Sequence, residues 1–517
     1  MKTLLLSTAL FGLASAVAAQ DVTVGAANVS SYLDPGRDHS NVGSQFYYNA
    51  FDTLISRDYT TTDLVWEPAL ATEWEIISPT TMELKLREGV VFHNGEEMTA
   101  SDVVFSLNRM YQATFPPYQV RARDRLGNFE RAEMVDDYTV RIHVYREEPL
   151  WETLVSLQQV MIIPEDYTKA LSGDPNVAED GDYEAFSLAP VGTGPYRIAE
   201  FQPGERIVYE RFDDFWGEAA PLQTATVLRV PETAARITAL RTGEIDIATN
   251  IAPDQLAQIE GDDDLYTVGA ATALFHVMIM NVNHPELEDP RIRRALSLAI
   301  DRDLLNEALW LGNAIVPSTH TMAEMGELHM PELTTFRYDP EEARRLLEEA
   351  GYDGTEIVFD QFPVYYTNGV LAAQAIVEMW EEVGVNGRVD VREDWTGNNP
   401  DMMVRSWSNP MYFADPFGSF GVMWAPGGPS ESVGRFNTDE AYAETWERFR
   451  FSTDVETRRE AYAELMDRIA EDPPVLPLYQ PYESWAIQSD VTWAPLPGHI
   501  PYVLDFRHAN IEVNTGS

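Results

Sequence analysis

The residues best suited to hold a small molecule are concentrated between positions 393 and 424. Indole and phenol rings are interspersed there with amide and carboxylate groups, at Trp395, Asn398, Trp407, Asn409, Tyr412, Asp415 and Trp424. Ligand pockets combine aromatic walls with a few converging polar groups. We therefore expect at least two of these side chains to contact a bound solute. The alternative for each is a place in an ordinary hydrophobic core.

Two shorter groups combine the same residue types next to apolar segments that read as strands. One group follows the run at 356–359 and the other follows the first strand of the mature chain. Together they contribute Gln361, Tyr365, Tyr366, Asn28, Ser30 and Tyr32. We treat these six as further candidate ligand contacts.

Motifs for catalysis, metal binding and phosphate binding are absent from the sequence. It has no G-x-S-x-G, no Walker A, no G-x-G-x-x-G and no H-E-x-x-H. Cysteine is absent, and the nine histidines form no pair at metal-ligand spacing. His93 lies at a strand-to-turn position that favours a structural hydrogen bond. We expect no catalytic residue, no metal and no cofactor, and interpret the chain as a non-enzyme.

The charge is strongly one-sided. Of 517 residues, 36 are Lys or Arg and 84 are Asp or Glu, so the net charge is 36 − 84 = −48. Such a surface repels phosphate backbones, which excludes nucleic acid as a partner. Lysine occurs only at positions 2, 85 and 169. Acid excess with scarce lysine fits a saline habitat, and genomic base composition is the competing explanation.

The N-terminus has the pattern of a secretory signal peptide. A short positive start is followed by an apolar run at 4–14 and small residues at 16–18. The run is too short to span a bilayer, so we expect residues 1–19 to be removed. No cysteine follows the cleavage site, which excludes a lipid anchor. We expect a soluble protein of a bacterial periplasm.

Strand and helix patterns alternate along the rest of the chain, which predicts an α/β protein. Apolar residues alternate with charged ones at 82–86 and again at 138–145. Asp289-Pro290 and Asp339-Pro340 place an N-cap before a proline at the first helical position. A glutamate follows at 342 and Gly351 stands at a helix end.

Eight segments in order resemble the family-5 solute-binding proteins of ABC transporters, the dipeptide- and oligopeptide-binding group. No single segment is specific, but together they cover most of the mature chain in family order. They are NAFDTLI at 49–55, PALATEW at 68–74, LREGVVFHNG at 86–95, TASDVVFS at 99–106, GTGPY at 192–196, LRTGEID at 240–246, RIRRALSLAID at 291–301 and YDPEEARRLL at 338–347.

This resemblance implies a two-lobed periplasmic binding protein fold. Two hinge strands join the lobes, and an extra subdomain is embedded in the first. We assign lobe I to residues 21–272 plus 483–517, the subdomain to about 56–188 and lobe II to 282–480. The expected crossings are 275–281 and 479–485. Strand-end segments of this family face the cleft, which is how the candidate residues above would meet.

The resemblance also implies a function and partners. The chain would be the periplasmic substrate-binding component of an ABC importer, capturing a peptide or another small polar organic solute between two closing lobes. Its partners would be that ligand and an inner-membrane ABC permease, and it would act as a monomer. Two alternatives are an exported hydrolase acting on peptides or glycans, and a receptor or chaperone using the same cleft.

Two departures from the dipeptide-binding pattern bear on the ligand. Members of that group carry an aspartate in W-x-x-D-x-x-D-P, whereas here Trp407 is followed three residues later by Pro410, and Asp415-Pro416 matches only the second acid. They also carry an arginine after Pro-Val, where this chain has Tyr365. A zwitterionic dipeptide would lose both charged anchors. Oligopeptides stay open, a sugar or other polar solute becomes a rival, and metal chelates are disfavoured.

Overall fold

The computed structural model describes most of the chain from residue 20 onward. The described residues are 20–37, 43–61, 65–112, 126–148, 150–173, 184–259, 261–363, 366–392, 401–412, 414–496, 503–508 and 510–514. The predicted signal peptide, residues 1–19, lies outside them and stays a prediction.

Twenty strands in the described residues form five sheets. A seven-stranded sheet has the order β12-β18-β11-β1-β10-β9-β8, and a five-stranded sheet has the order β15-β14-β16-β13-β17. The strands are β1 Asp21–Ala26, β2 Ile55–Arg57, β3 Trp66–Pro68, β4 Ala71–Ser78, β5 Thr81–Leu86, β6 Phe129–Asp136, β7 Thr139–Val144, β8 Tyr196–Gln202, β9 Arg206–Arg211, β10 Thr224–Arg229, β11 Ile247–Ala248, β12 Leu265–Ala271, β13 Leu274–Met280, β14 Ile357–Gln361, β15 Gly387–Val391, β16 Val404–Pro410, β17 Val475–Tyr479, β18 Tyr482–Gln488, β19 Val491–Trp493 and β20 Ile511–Val513.

Helices cover both larger sheets and add most of the remaining core. The longer ones are Ala100–Gln112, Leu150–Gln158, Glu165–Ser172, Thr233–Arg241, Pro290–Leu298, Arg302–Trp310, Pro340–Ala350, Gly369–Glu382, Glu440–Phe451 and Val455–Glu471; four single turns are Ala185–Leu188, Pro253–Leu256, Gly421–Trp424 and Pro429–Ser432. The described part of the chain contains no helix with the length and apolar character needed to span a bilayer.

The seven-stranded sheet with its surrounding segments forms lobe I, and the five-stranded sheet with its helices forms lobe II. Separate hydrophobic cores fill them, one around Tyr209 and Trp485 in lobe I and a larger one around Trp380 and Tyr462 in lobe II. A third core belongs to the antiparallel sheet β4-β5-β7-β6 and the helix Ala100–Gln112, within the part of lobe I expected to hold the extra subdomain.

The chain crosses between the two large sheets twice. The first crossing is at Thr272–Ala273, between β12 and β13, and the second is at Gln480–Pro481, between β17 and β18. The crossings are hydrogen-bonded to each other: Thr272 N–H donates to the Pro481 carbonyl at 2.9 Å, and Gln480 Nε2 donates to the Thr272 carbonyl at 3.0 Å. This pairing joins the lobes through a narrow connection.

The first crossing differs from the expected one at 275–281. The apolar run there is a strand of the second sheet that is buried along its whole length and pairs with β16 on one side and with the edge strand β17 on the other. Lobe II therefore begins with β13 rather than at residue 282. The division of the chain into 21–272 with 483–517, about 56–188 and 282–480 otherwise stays a prediction.

Two helices begin at the N-caps that the sequence predicts. Asp289 and Asp339 each precede a helix that opens with proline, and their carboxylates accept the backbone N–H of Arg291 at 2.9 Å and of Glu342 at 3.0 Å. Gly351 ends the second of these helices with a φ of 72°, a left-handed conformation that glycine adopts without steric cost. Both predicted caps are confirmed.

The backbone of the GTGPY segment packs closely against residues 49–51, which requires glycine at position 194. Gly194 N–H donates to the Ala50 carbonyl at 3.0 Å, and the strand that follows begins at Tyr196. His93 Nε2 donates to the Gly194 carbonyl at 2.8 Å, which confirms its structural role. Burial lowers the pKa of His93 to about 4, so this ring stays neutral.

Gly194→Ala should destabilise lobe I. A Cβ at position 194 would lie 2.6 Å from the Ala50 carbonyl carbon, 2.8 Å from the Asn49 oxygen and 2.9 Å from the Phe51 nitrogen. All three are backbone atoms that cannot rotate away, so we expect a loss of about 1–3 kcal/mol in the free energy of unfolding. Denaturant unfolding followed by tryptophan fluorescence measures it, and an unchanged midpoint would contradict this account of the motif.

Candidate functional site

A cavity of about 390 Å³ lies between the lobes beside the crossings. Pockets for small molecules are typically of this size or somewhat larger. Lobe I contributes Ala27, Asn28, Gln45, Pro231, Glu232, Thr233, Arg236, Asn250, Ala252 and Gln255; lobe II contributes Leu274, His276, Pro363, Tyr366, Thr367, Asn368 and Ser408; Glu483 follows the second crossing.

The lobe I wall is organised by a buried arginine. Arg236 is 1% exposed and lies on the helix Thr233–Arg241, whose first turn lines the cavity. Its guanidinium makes five hydrogen bonds within the lobe, to the carbonyls of Val230, Pro231, Thr249 and Asn250 and to the Thr233 hydroxyl. Five donors are the full capacity of a guanidinium. Arg236 therefore fixes the shape of the wall instead of gripping a ligand.

A carboxylate stands at the hinge side of the cavity. Glu483 is the second residue of β18 and is 7% exposed. Its Oε2 accepts a hydrogen bond from Asn250 Nδ2 at 3.0 Å. Burial raises the pKa of Glu483 to about 7, against the opposing effects of the Asn250 hydrogen bond and the Arg236 charge. This acid is half-ionised near neutral pH.

The lobe II wall contains two aromatic rings, those of His276 and Tyr366. His276, in β13, lies opposite Ser408 of β16, and both side chains line the cavity. The His276 ring packs edge-on against Tyr366 at 4.9 Å and lies 5.4 Å from Tyr479. Burial lowers the pKa of His276 to about 3, so the imidazole stays neutral. Lobe II thus contributes two rings together with an amide and two hydroxyls, and it faces a lobe I wall that also carries acids.

The predicted site residues fall into four groups. Asn28 and Tyr366 line the cavity, one from each lobe. Tyr365, Trp395 and Asn398 lie outside the described residues. Their role as ligand contacts stays a prediction.

Three residues of the 393–424 cluster have structural roles in place of the predicted ligand contacts. Asn409 is 1% exposed, accepts from His320 Nε2 at 2.7 Å and donates to the Ser419 carbonyl at 3.0 Å. Trp424 is a buried core residue stacked on Phe420.

Asp415 is 3% exposed and pairs with Arg458 at 2.8 Å while capping the turn at Phe417. Burial raises the pKa of Asp415, against the lowering effect of the Arg458 charge. These contacts occupy the polar atoms that a ligand would need.

Ser30 also has a structural role in place of the predicted ligand contact. Its hydroxyl donates to the Tyr32 carbonyl at 2.6 Å and accepts from the Tyr32 N–H at 3.1 Å, which is a local turn. The Tyr32 ring lies under the Arg37 guanidinium at 3.8 Å. Serine in such a turn after a strand gives the same sequence signal as a serine that faces a ligand.

Three remaining candidates lie in lobe II without lining this cavity. Gln361 is fully buried and donates to the Phe362 carbonyl at 2.8 Å. Trp407 is half-buried, with its ring 6.3 Å from Trp424. Tyr412 is half-buried, and its backbone N–H donates to the Gly418 carbonyl at 3.1 Å. Their role as ligand contacts stays a prediction.

Sequence reasoning missed the hinge residues that face the cavity. His276 and Glu483 lie within the segments 275–281 and 479–485 that were expected to cross between the lobes. That expectation was the available signal, because side chains next to a hinge face the space that it encloses. The described residues contain no group of three or more His, Asp or Glu arranged to hold a metal ion.

Residues 65–429 match the model of the bacterial extracellular solute-binding proteins, family 5 middle. This match spans more than half of the chain. The chain belongs to this family. Among its relatives is the dipeptide-binding protein of Escherichia coli (strain K12), which is 26% identical over 392 residues, or 68% of this chain and 71% of the relative.

Solved structures share the whole architecture. The periplasmic binding protein DppA from Helicobacter pylori, in complex with the peptide STSA, superposes with a TM-score of 0.84 at 22% identity, covering 96% of this chain and 98% of that chain. AgaA of A. tumefaciens R10, in complex with agropinic acid, gives a TM-score of 0.82 at 19% identity, covering 96% and 99%. The predicted two-lobed α/β fold is confirmed.

Proposed function

We propose that this protein is the periplasmic substrate-binding component of an ABC importer. It captures a peptide or another small polar organic solute between two lobes that close on it. The observation that carries this proposal is the cavity beside the crossings, lined from both lobes, in a chain of the solute-binding family. The relatives named above bind a dipeptide, a peptide and agropinic acid.

Lobe closure has a second point of contact, away from the hinge. Glu148 follows β7 in lobe I, and Arg450 lies on the lobe II helix Glu440–Phe451. Their charged groups are 3.7 Å apart and both side chains are at most 4% exposed. Beside them, Arg146 pairs with Glu447 and lies over the Phe451 ring. These contacts exist only when the lobes are together, so they stabilise the closed form.

The ligand acts by shifting an equilibrium between open and closed forms. It does so only by its difference in affinity for the two forms. A solute that touches both walls of the cavity has that difference, because an open form offers it one wall at a time. The closed form is then the one that the inner-membrane permease recognises, with the binding protein acting as a soluble monomer in the periplasm.

The cavity suits binding better than catalysis. Besides the Tyr366 hydroxyl, the titratable groups in the described lining are Glu232, Arg236, His276 and Glu483, of which Arg236 is fully engaged and His276 is neutral. Hydrolysis of a peptide or glycan needs an activated nucleophile or a working pair of acids. Incubation of the protein with candidate solutes, followed by mass spectrometry, distinguishes the two: the solute is recovered intact from a binding protein and cleaved by a hydrolase.

Tyr366→Ala should weaken solute binding about tenfold. The ring forms part of the lobe II wall and packs on His276, so its removal leaves both the solute and the imidazole without an aromatic contact worth about 1 kcal/mol or slightly more. Calorimetric titration with the solute released from the purified wild-type protein measures the effect. Tyr338→Ala, at an exposed tyrosine of the same lobe, is the matched control and should bind as the wild type does.

Native mass spectrometry of protein purified from a bacterial periplasm tests the proposed function. We expect a non-covalent adduct of a few hundred daltons, in keeping with the cavity volume. Protein free of any adduct, and unable to take up solutes from a periplasmic extract, would contradict the proposal.

A further inference from the structure

Glu483 is a buried acid without a cationic partner of its own. Among the described residues, Asn250 supplies the one side-chain hydrogen bond to its carboxylate, at Oε2. The nearest positive charge that acts on it belongs to Arg236, whose donors are all used within lobe I. Asn250 separates the two groups, because its carbonyl accepts from Arg236 and its amide donates to Glu483. The carboxylate therefore keeps acceptor capacity toward the cavity.

Apart from Glu483 and the fully engaged Arg236, the charged group in the described lining of the cavity is also acidic. Glu232 is exposed at the start of the helix Thr233–Arg241. The His276 ring on the opposite wall is neutral. The part of the cavity in the described residues thus offers two carboxylates, several amides and hydroxyls, and no guanidinium or ammonium with donors to spare for an anion.

We propose that Glu483 selects solutes carrying a cationic nitrogen, such as an ammonium or guanidinium group, which pairs with its carboxylate at the hinge side of the cavity. This inference rests on the proposed function and names its substrate class. A bound cation supplies the charge partner that the buried carboxylate lacks, and charge-assisted hydrogen bonds are about twice as strong as neutral ones. A carboxylate on the solute would find no arginine with an unused donor in the described wall, because all five donors of Arg236 are engaged within lobe I.

The titration of Glu483 gives this assignment a pH signature. Burial places its pKa near 7, while His276 is neutral and Arg236 charged throughout the neutral range. A cation binds the ionised carboxylate, so its affinity should fall as pH decreases below about 7, approaching tenfold per pH unit. If a protonated Glu483 donated a hydrogen bond to a neutral solute, the affinity would instead rise as pH decreases.

The experiment uses probe pairs that differ by one positive charge. The pairs are alanyl-alanine amide with its N-acetyl form, butylguanidine with butylurea, and choline with 3,3-dimethylbutanol, each titrated by calorimetry from pH 5.5 to 7.5. We expect binding by a cationic member, at least tenfold weaker binding by its neutral partner, and a loss of this preference in Glu483→Gln. Glu512→Gln removes the same charge from an exposed strand of lobe I and should leave the preference intact.

The outcomes separate the substrate class from the proposed function. No binding by the cationic members, equal binding within a pair, or an unchanged preference in Glu483→Gln would overturn the assignment to Glu483. A neutral or anionic solute released from the wild-type protein would overturn the cationic class and leave solute capture standing. Absence of any released solute together with absence of any binding would overturn both.

Discussion

Replacing Arg450 with methionine should weaken solute binding by about one and a half to three and a half decades while leaving each lobe folded. In the closed form the substitution leaves Glu148 buried beside an apolar side chain, whereas separation of the lobes should expose the Glu148 carboxylate to water. Removing one partner of a buried charge pair costs about 2–5 kcal/mol. That cost falls on closure, and closure is coupled to binding. Calorimetric titration gives the affinity, and small-angle X-ray scattering gives the mean separation of the lobes.

A neighbouring arginine provides the matched control for Arg450. Arg448 lies on the same helix and pairs with Glu464 inside lobe II, with both side chains about half exposed. An exposed pair of this kind contributes at most about 1 kcal/mol, so Arg448→Met should change neither the affinity nor the scattering curve. Adding Glu148→Gln to Arg450→Met should recover part of the lost affinity, because no buried charge is then left unpaired. Wild-type affinity in Arg450→Met would show that the interlobe contact does not stabilise the closed form.

Replacing Asp415 with alanine should lower the free energy of unfolding by about 3–5 kcal/mol, with little change in solute affinity for the fraction that folds. The change leaves the Arg458 guanidinium buried without its carboxylate and removes the cap at Phe417. Denaturant unfolding measures the loss, and calorimetry below the melting temperature measures the affinity. This prediction separates the structural role seen in the fold from the ligand-binding role that the sequence suggested.

Two further variants sharpen the test of Asp415. Asp439→Asn weakens another helix cap, but its pair with Arg468 is exposed, so the expected loss is below about 1 kcal/mol. The double variant Asp415→Leu with Arg458→Met replaces the pair by apolar side chains and should regain much of the stability. A normal unfolding midpoint combined with a loss of binding in Asp415→Ala would restore Asp415 to the ligand site.

The fold was predictable because its signals are local or ordered along the chain. The alternation at 82–86 depends on immediate neighbours and corresponds to β5. The caps at Asp289 and Asp339 depend on residues two or three positions away. The family segments keep their order, and order is enough to indicate the two-lobed architecture.

The site was less predictable because it depends on partners that are distant in sequence. Asp415 and its partner Arg458 are 43 positions apart, and Asn409 and His320 are 89 apart. Nothing next to Asp415 in the chain indicates that its carboxylate will pair with an arginine and not with a ligand. Residue type alone therefore could not separate a polar side chain that serves the core from one that faces the cleft.

Glu483 lines the cavity but was not predicted as a site residue. It stands in a strand of mainly buried residues, where an acid is easily read as a break in the pattern. Its meaning becomes clear only when the pairing of β18 with β12 places it directly after the second crossing, at the edge of the cavity. Position relative to the hinge, more than residue type, identifies the residues that meet a ligand in this fold.

Closure of the two lobes on a captured solute can be measured in a single scattering titration. Wild-type protein is stripped of bound solute in denaturant, refolded, and titrated with the solute released from it while its radius of gyration is recorded. We predict a saturable decrease in the radius of gyration, at the solute concentrations that saturate the calorimetric signal. Saturable binding with an unchanged radius of gyration would contradict closure.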